Sequence, residues 1–141
     1  MKVLFVCVAN VGRSQAAEAL FNQLSGQTAT SAGTRADEVF ARTNPPTRSL
    51  GDTGSTAVPF MKKQGVDISG KTRKQLTGTM VQEADKVIVM ADRDSWPDFL
   101  QDSNKVTYWD ITDPVGLGDD AALSIYNEIK WRVEELVRKI G

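Results

Sequence analysis

The only cysteine of the chain, Cys7, ends an apolar run and stands six residues ahead of Arg13 in the stretch VCVANVGRS, residues 6–14. A thiolate is a strong nucleophile, and a planar guanidinium can hold two oxygens of a phosphate-like anion at once. The spacing leaves room for one sharp turn between them. Asn10 and Gly12 are residues that tolerate unusual backbone angles, so the turn can aim successive amides inward as an anion-binding nest. If a helix begins near Arg13, its N-terminus adds to the same field, which favours bound anions and the attacking thiolate alike. Ser14 can donate its hydroxyl to the sulfur. A lone cysteine at the end of a buried strand is more often a small hydrophobe. Here the turn residues, the arginine and the serine together favour the chemical reading.

Expelling an alkoxide or phenolate from a phosphoryl group at neutral pH is helped by a proton donor. The chain contains no histidine, which excludes a Ser-His-Asp triad, a Cys-His pair and a histidine-based zinc site. Without histidine, a carboxylic acid is the expected donor. DITDPVG, residues 110–116, supplies Asp110 and Asp113, and Pro114 stiffens the backbone after the second. Asp113 is the better candidate of the two.

These residues need a scaffold that holds them at one edge. Residues 3–8, 86–91 and 105–109 have the length and the valine and isoleucine content of buried strands, and TATSAG, residues 28–33, is a weaker fourth. Between them, residues 13–24 repeat apolar positions at helical spacing. Ala122, Ile125, Tyr126, Ile129, Val133, Leu136 and Ile140 draw a stripe down a long final helix. Residues 54–67 and 73–86 are further helical candidates. Strands alternating with helices predict an α/β fold, a three-layer sandwich with a four-stranded parallel sheet and helices on both faces. Ligands in such sheets sit at the carboxyl ends of the strands, where both VCVANVGRS and DITDPVG fall. Residues 35–53 are rich in turn formers and are expected to be a long loop, a possible wall of the site. Phe40 within it is a candidate contact for an aryl ring, while Lys71, Arg73 and Lys74 read as a solvated surface cluster.

The 141 residues are the size of one domain, expected to span 1–141. Seventeen basic and 18 acidic groups leave a net charge of -1, which gives no electrostatic footprint for nucleic acid or an acidic membrane. No internal disulfide is possible with one cysteine, and the apolar start is too short for a signal peptide or a membrane span, so a cytoplasmic protein is expected. Nothing in the pattern calls for a metal or another cofactor.

At these residues the chain resembles the low-molecular-weight protein tyrosine phosphatase superfamily, whose motif is Cys-x5-Arg-Ser at the end of the first strand. SAGT, GVDISGKTRKQLT, ADKVIVMADRD and Asp113-Pro114 look like that family's landmarks and carry the resemblance nearly end to end. It implies that Cys7 is the nucleophile, Arg13 the phosphate clamp and Asp113 the general acid. Val8, Ala9, Asn10, Val11, Gly12, Arg13 and Ser14 form the substrate loop, in which Asn10 and Ser14 support the loop and the thiolate. Ala9 stands where the family usually has glycine, and Gly12 where many members carry a second cysteine.

The implied substrates are a phosphorylated protein or a small phosphate monoester. RSQAAEA and YWDITDP look more like the arsenate reductase branch, and no aromatic clamp follows Asp113-Pro114. A reductase with a single cysteine needs a small external thiol beside arsenate. A third class, a non-catalytic module that binds phosphate, is the least favoured because nucleophile, clamp and acid are all present.

Overall fold

Strand β1 (Lys2–Cys7) carries the apolar run KVLFVC and is buried from Val3 onward on both of its faces. A strand with that pattern must lie inside a sheet. The computed structural model, which describes residues 1–43 and 46–140, places it there. Parallel neighbours flank it: β2 (Thr28–Gly33) in register Cys7 to Gly33, and β3 (Lys86–Val89) in register Val6 to Val89. Strand β4 (Val106–Tyr108) pairs with β3, which gives the order β2-β1-β3-β4. From β1 the chain goes first to one side and then to the other. The strand order therefore reverses between β1 and β3, and that crevice is where ligands of open parallel sheets bind.

Side chains alternate across β1. Val3, Phe5 and Cys7 face a core shared with α1 (Arg13–Leu24), α3 (Ala57–Lys63) and α6 (Asp119–Ile140). Leu4 and Val6 face a second core that takes in Val81 of α4 (Gly78–Glu83) and Leu100 of α5 (Asp98–Gln101). Helices thus cover both faces, as the sequence pattern predicted. In α6 the buried Ala122, Tyr126, Ile129, Val133 and Leu136 recur at helical spacing. Asp119 and Asp120 begin that helix and Arg138 and Lys139 end it, each on the side the helix dipole favours.

The structure departs from the sequence reading in three places. The expected loop 35–53 contains helix α2 (Ala36–Arg42) and a 3-10 turn at Leu50–Asp52, and Asn44 and Pro45 of it lie outside the described residues. Turn-former content concealed the short ADEVFAR segment, too brief for a periodicity argument. Helices α3 and α4 are shorter than the candidate ranges, because the glycine, aspartate and threonine residues flanking them serve as caps and turns. Arg73 is not part of a solvated surface but is buried, and its amide donates to Arg48 O. Among the described residues no helix is long and apolar enough to cross a membrane.

Candidate active site

The turn after β1 is organised by Asn10, the one non-glycine residue with a positive φ, 56°, among those described. Its fully buried side chain uses its whole hydrogen-bonding capacity. Nδ2 donates to Ser14 Oγ at 2.7 Å and to Ser31 Oγ at 3.0 Å, while Oδ1 accepts from Gln15 Nε2 at 3.0 Å and from the Lys74 amide at 2.9 Å. Asparagine suits this position twice over, since its short amide tolerates left-handed backbone and reaches acceptors and donors on both sides. Ser14 Oγ, already accepting from Asn10, lies 3.0 Å from Cys7 Sγ and has its own proton free to donate to the sulfur. Ser31 in turn donates to Glu18, whose other oxygen is 3.4 Å from Lys71 Nζ.

Two glycines make room for this turn. A Cβ on Gly33 would collide with Val8 O, so β2 can approach the loop only without a side chain. A Cβ on Gly12 would come within 2.9 Å of Tyr126 Oη. Gly12 thus serves by its missing side chain, and the left-handed residue is Asn10 alone. The amides of Ala9, Val11 and Gly12 donate no hydrogen bond to the described residues, which leaves them for an anion.

Arg13 opens α1 and is almost wholly buried. One terminal nitrogen, Nη1, donates to Met90 O at 2.7 Å and to Ile111 O at 2.8 Å, the backbone just past β3 and β4. The guanidinium is therefore fixed at the crevice with Nη2 toward Asp113, whose carboxylate is 3.8 Å away. Asp113 is half exposed, and its other oxygen accepts the Val115 amide at 3.1 Å, a turn of the type that Asp-Pro favours. Cys7, Arg13 and Asp113 line one cavity of about 280 Å3, with Ala9, Val11 and Gly12 of the turn.

Of the expected loop residues, Cys7, Ala9, Val11, Gly12 and Arg13 reach the cavity. Asn10 and Ser14 support it from behind, and Val8 turns toward the second core. Asp110 is not at the cavity wall, whereas Asp113 is. Of the described residues in the region 35–53, only Thr53 lines the cavity. Phe40 does not line the cavity and instead lies under the Arg48 guanidinium at 4.1 Å.

A family model for low molecular weight phosphotyrosine protein phosphatase matches residues 2–141. The chain belongs to that family. Glutaredoxin arsenate reductase of Synechocystis sp. is 30% identical over 99% of this chain and 98% of its own length. Among solved structures, the low molecular weight protein tyrosine phosphatase from T. tengcongensis superposes with a TM-score of 0.76 at 28% identity, covering 99% of both chains. An arsenate reductase in the phosphate-binding state gives 0.79 at 28% identity, over 99% of this chain and 98% of its own. Phosphatases and arsenate reductases thus both stand among the relatives of this member of the phosphatase family.

Sequence reasoning missed the far wall of the cavity. Thr56 and Tyr126 line it, and their hydroxyl oxygens are 2.8 Å apart. Burial, with a smaller contribution from the charges of Cys7 and Asp113, pushes the Tyr126 phenol up to about 12. Its position in the helical stripe marked Tyr126 as core; a hydroxyl among aliphatic partners was the available hint of another role. Ser55 donates to Val11 O and ties this wall to the substrate turn.

Proposed function

We propose that this protein is a cysteine-dependent phosphate monoester hydrolase of the protein tyrosine phosphatase type, acting through a phosphocysteine. The observation that carries the reading is the convergence of Cys7, Arg13 and Asp113 on one cavity at the crevice between β1 and β3. Cys7 Sγ attacks phosphorus as the thiolate, with Ser14 as hydrogen-bond donor to the sulfur, and the bond from phosphorus to the ester oxygen breaks. The nitrogens of Arg13 not held by Met90 and Ile111, with the amides of the turn, follow the charge on the three equatorial oxygens. Asp113 protonates the departing oxygen. In the second half it takes a proton from the attacking water, the phosphorus–sulfur bond breaks, and inorganic phosphate and the thiolate are released.

The leaving group separates this assignment from its rivals. Asp113→Asn is expected to slow the first step about a hundredfold to ten-thousandfold on esters with basic leaving groups, and far less on nitrophenyl phosphate, whose anion departs without help. Pre-steady-state kinetics with Asp110→Asn as the control reads that step directly. Equal losses on all esters would remove Asp113 from the acid role.

The reductase relative, similar along the whole chain, favours a second reading in which arsenate occupies the same cavity. With a single cysteine, the two electrons that reduce arsenate must then come from external small thiols. One preparation assayed against an aryl phosphate and against arsenate with glutathione or mycothiol decides between the two. Turnover of arsenate alone would displace the hydrolase reading, and phosphate binding without either turnover would leave a binding module.

A further inference from the structure

The mechanism above leaves one polar pair of the cavity unused, the buried Tyr126 and the half-buried Thr56. Thr56 Oγ1 and Tyr126 Oη are 2.8 Å apart, and each hydroxyl carries one proton. The bond between them consumes one of the two. No acceptor for the other is present among the described residues, so a hydroxyl proton is unspent at the wall of a cavity that also holds Cys7 and Arg13. Each hydroxyl has the other as partner, and the second proton faces a cavity in which a ligand oxygen can take it in place of water.

The position of this proton is tightly held. The Tyr126 ring stacks on Phe60 with centroids 5.4 Å apart and planes 28° from parallel, and α6 fixes its backbone. Its oxygen occupies the space that a side chain at position 12 would need, directly against the substrate turn. The phenol is the more acidic hydroxyl of the two and makes the stronger bond to an anion. With an anion present, the shared bond then runs from Thr56 to Tyr126 and the phenol proton turns to the ligand.

We propose that Tyr126, oriented by Thr56, is a substrate-binding residue that donates a hydrogen bond to an oxygen of the bound tetrahedral oxyanion. This rests on the reading of the cavity as an oxyanion site, whether phosphate ester or arsenate is the natural occupant. It also gives a reason for glycine at position 12: a side chain there would expel the phenol oxygen. The donor is neutral throughout the working range, since its ionisation is pushed up to about 12, so it adds a contact without a competing charge.

The test measures inorganic phosphate binding by calorimetry in a Cys7→Ser background, where no chemistry intervenes. Adding Tyr126→Phe should weaken phosphate about tenfold to a hundredfold, the effect of losing a hydrogen bond to a charged acceptor. Thr56→Val should weaken it less, by several-fold, because it removes only the orienting partner. Thermal midpoints with and without phosphate guard against a purely structural effect. That effect would lower both equally, whereas the inference requires the phosphate-induced increment to shrink. Phosphate affinity within twofold of the parent in Tyr126→Phe overturns the inference, and if that variant does not fold, unchanged affinity in Thr56→Val does so. Absence of phosphate binding by the Cys7→Ser parent would overturn the oxyanion reading itself, and this inference with it.

Discussion

Replacing Asn10 should cost more stability than any other single change in the substrate turn, and two variants divide that cost into its causes. Its side chain makes four hydrogen bonds inside a fully buried hub. At about 1 kcal/mol net for each, their loss in Asn10→Gly amounts to about 4 kcal/mol. Glycine accepts the φ of 56° freely, but alanine does not, so Asn10→Ala should lose about 1 kcal/mol more. Against a domain stability of about 5–15 kcal/mol, either variant falls near the margin. Urea unfolding followed by tryptophan fluorescence, extrapolated to water, gives both numbers. Activity should fall alongside, because Ser14 loses the donor that orients its hydroxyl toward Cys7. A loss below about 1 kcal/mol in Asn10→Gly would refute the hub, and equal stability of the two variants would refute the backbone contribution.

Arg13→Lys should injure folding as well as turnover: an ammonium cannot hold Met90 O and Ile111 O and still present a planar fork to the cavity. A stability loss of about 1–3 kcal/mol for a buried carbonyl left unpaired should accompany a large fall in kcat/KM, and stability equal to wild type would contradict the anchoring. Ultraviolet titration should show the Tyr126 step near pH 12 in the folded protein and near the ordinary value of about 10 in denaturant. Since the folded pKa is raised, the stability this group contributes is complete below about pH 10 and is lost as the pH climbs through 12, which alkaline unfolding curves of wild type and Tyr126→Phe would reveal by their difference.

What could be read without coordinates was the chemistry that is local in sequence. Cys7, Asn10, Arg13 and Ser14 lie within one strand-turn-helix unit, which the continuous apolar run of β1 and the helical spacing of α1 announce. Asp113 was singled out by the company of Cys7 and the family resemblance, since Asp-Pro by itself most often marks a turn. The remaining contributors are held by contacts that no local pattern encodes. Thr56 and Tyr126 meet across 70 residues, and Ser31 and Lys74 reach Asn10 from other elements. Arg73 went astray because a charge cluster in sequence says nothing of which member a neighbouring segment will cover. Helix α2 was hidden for a different reason: seven residues hold too few turns for a periodic signal.

The two carbonyls that fix Arg13 belong to residues 77 and 98 positions further along the chain. During synthesis the cysteine and arginine therefore emerge well before the groups that aim the arginine. Strand β1 likewise waits for β3 before its second edge is paired. A nascent fragment that ends before Ile111 therefore carries the motif without the clamp. The placement of Arg13 is thus a property of the assembled sheet and not of the segment that bears the motif.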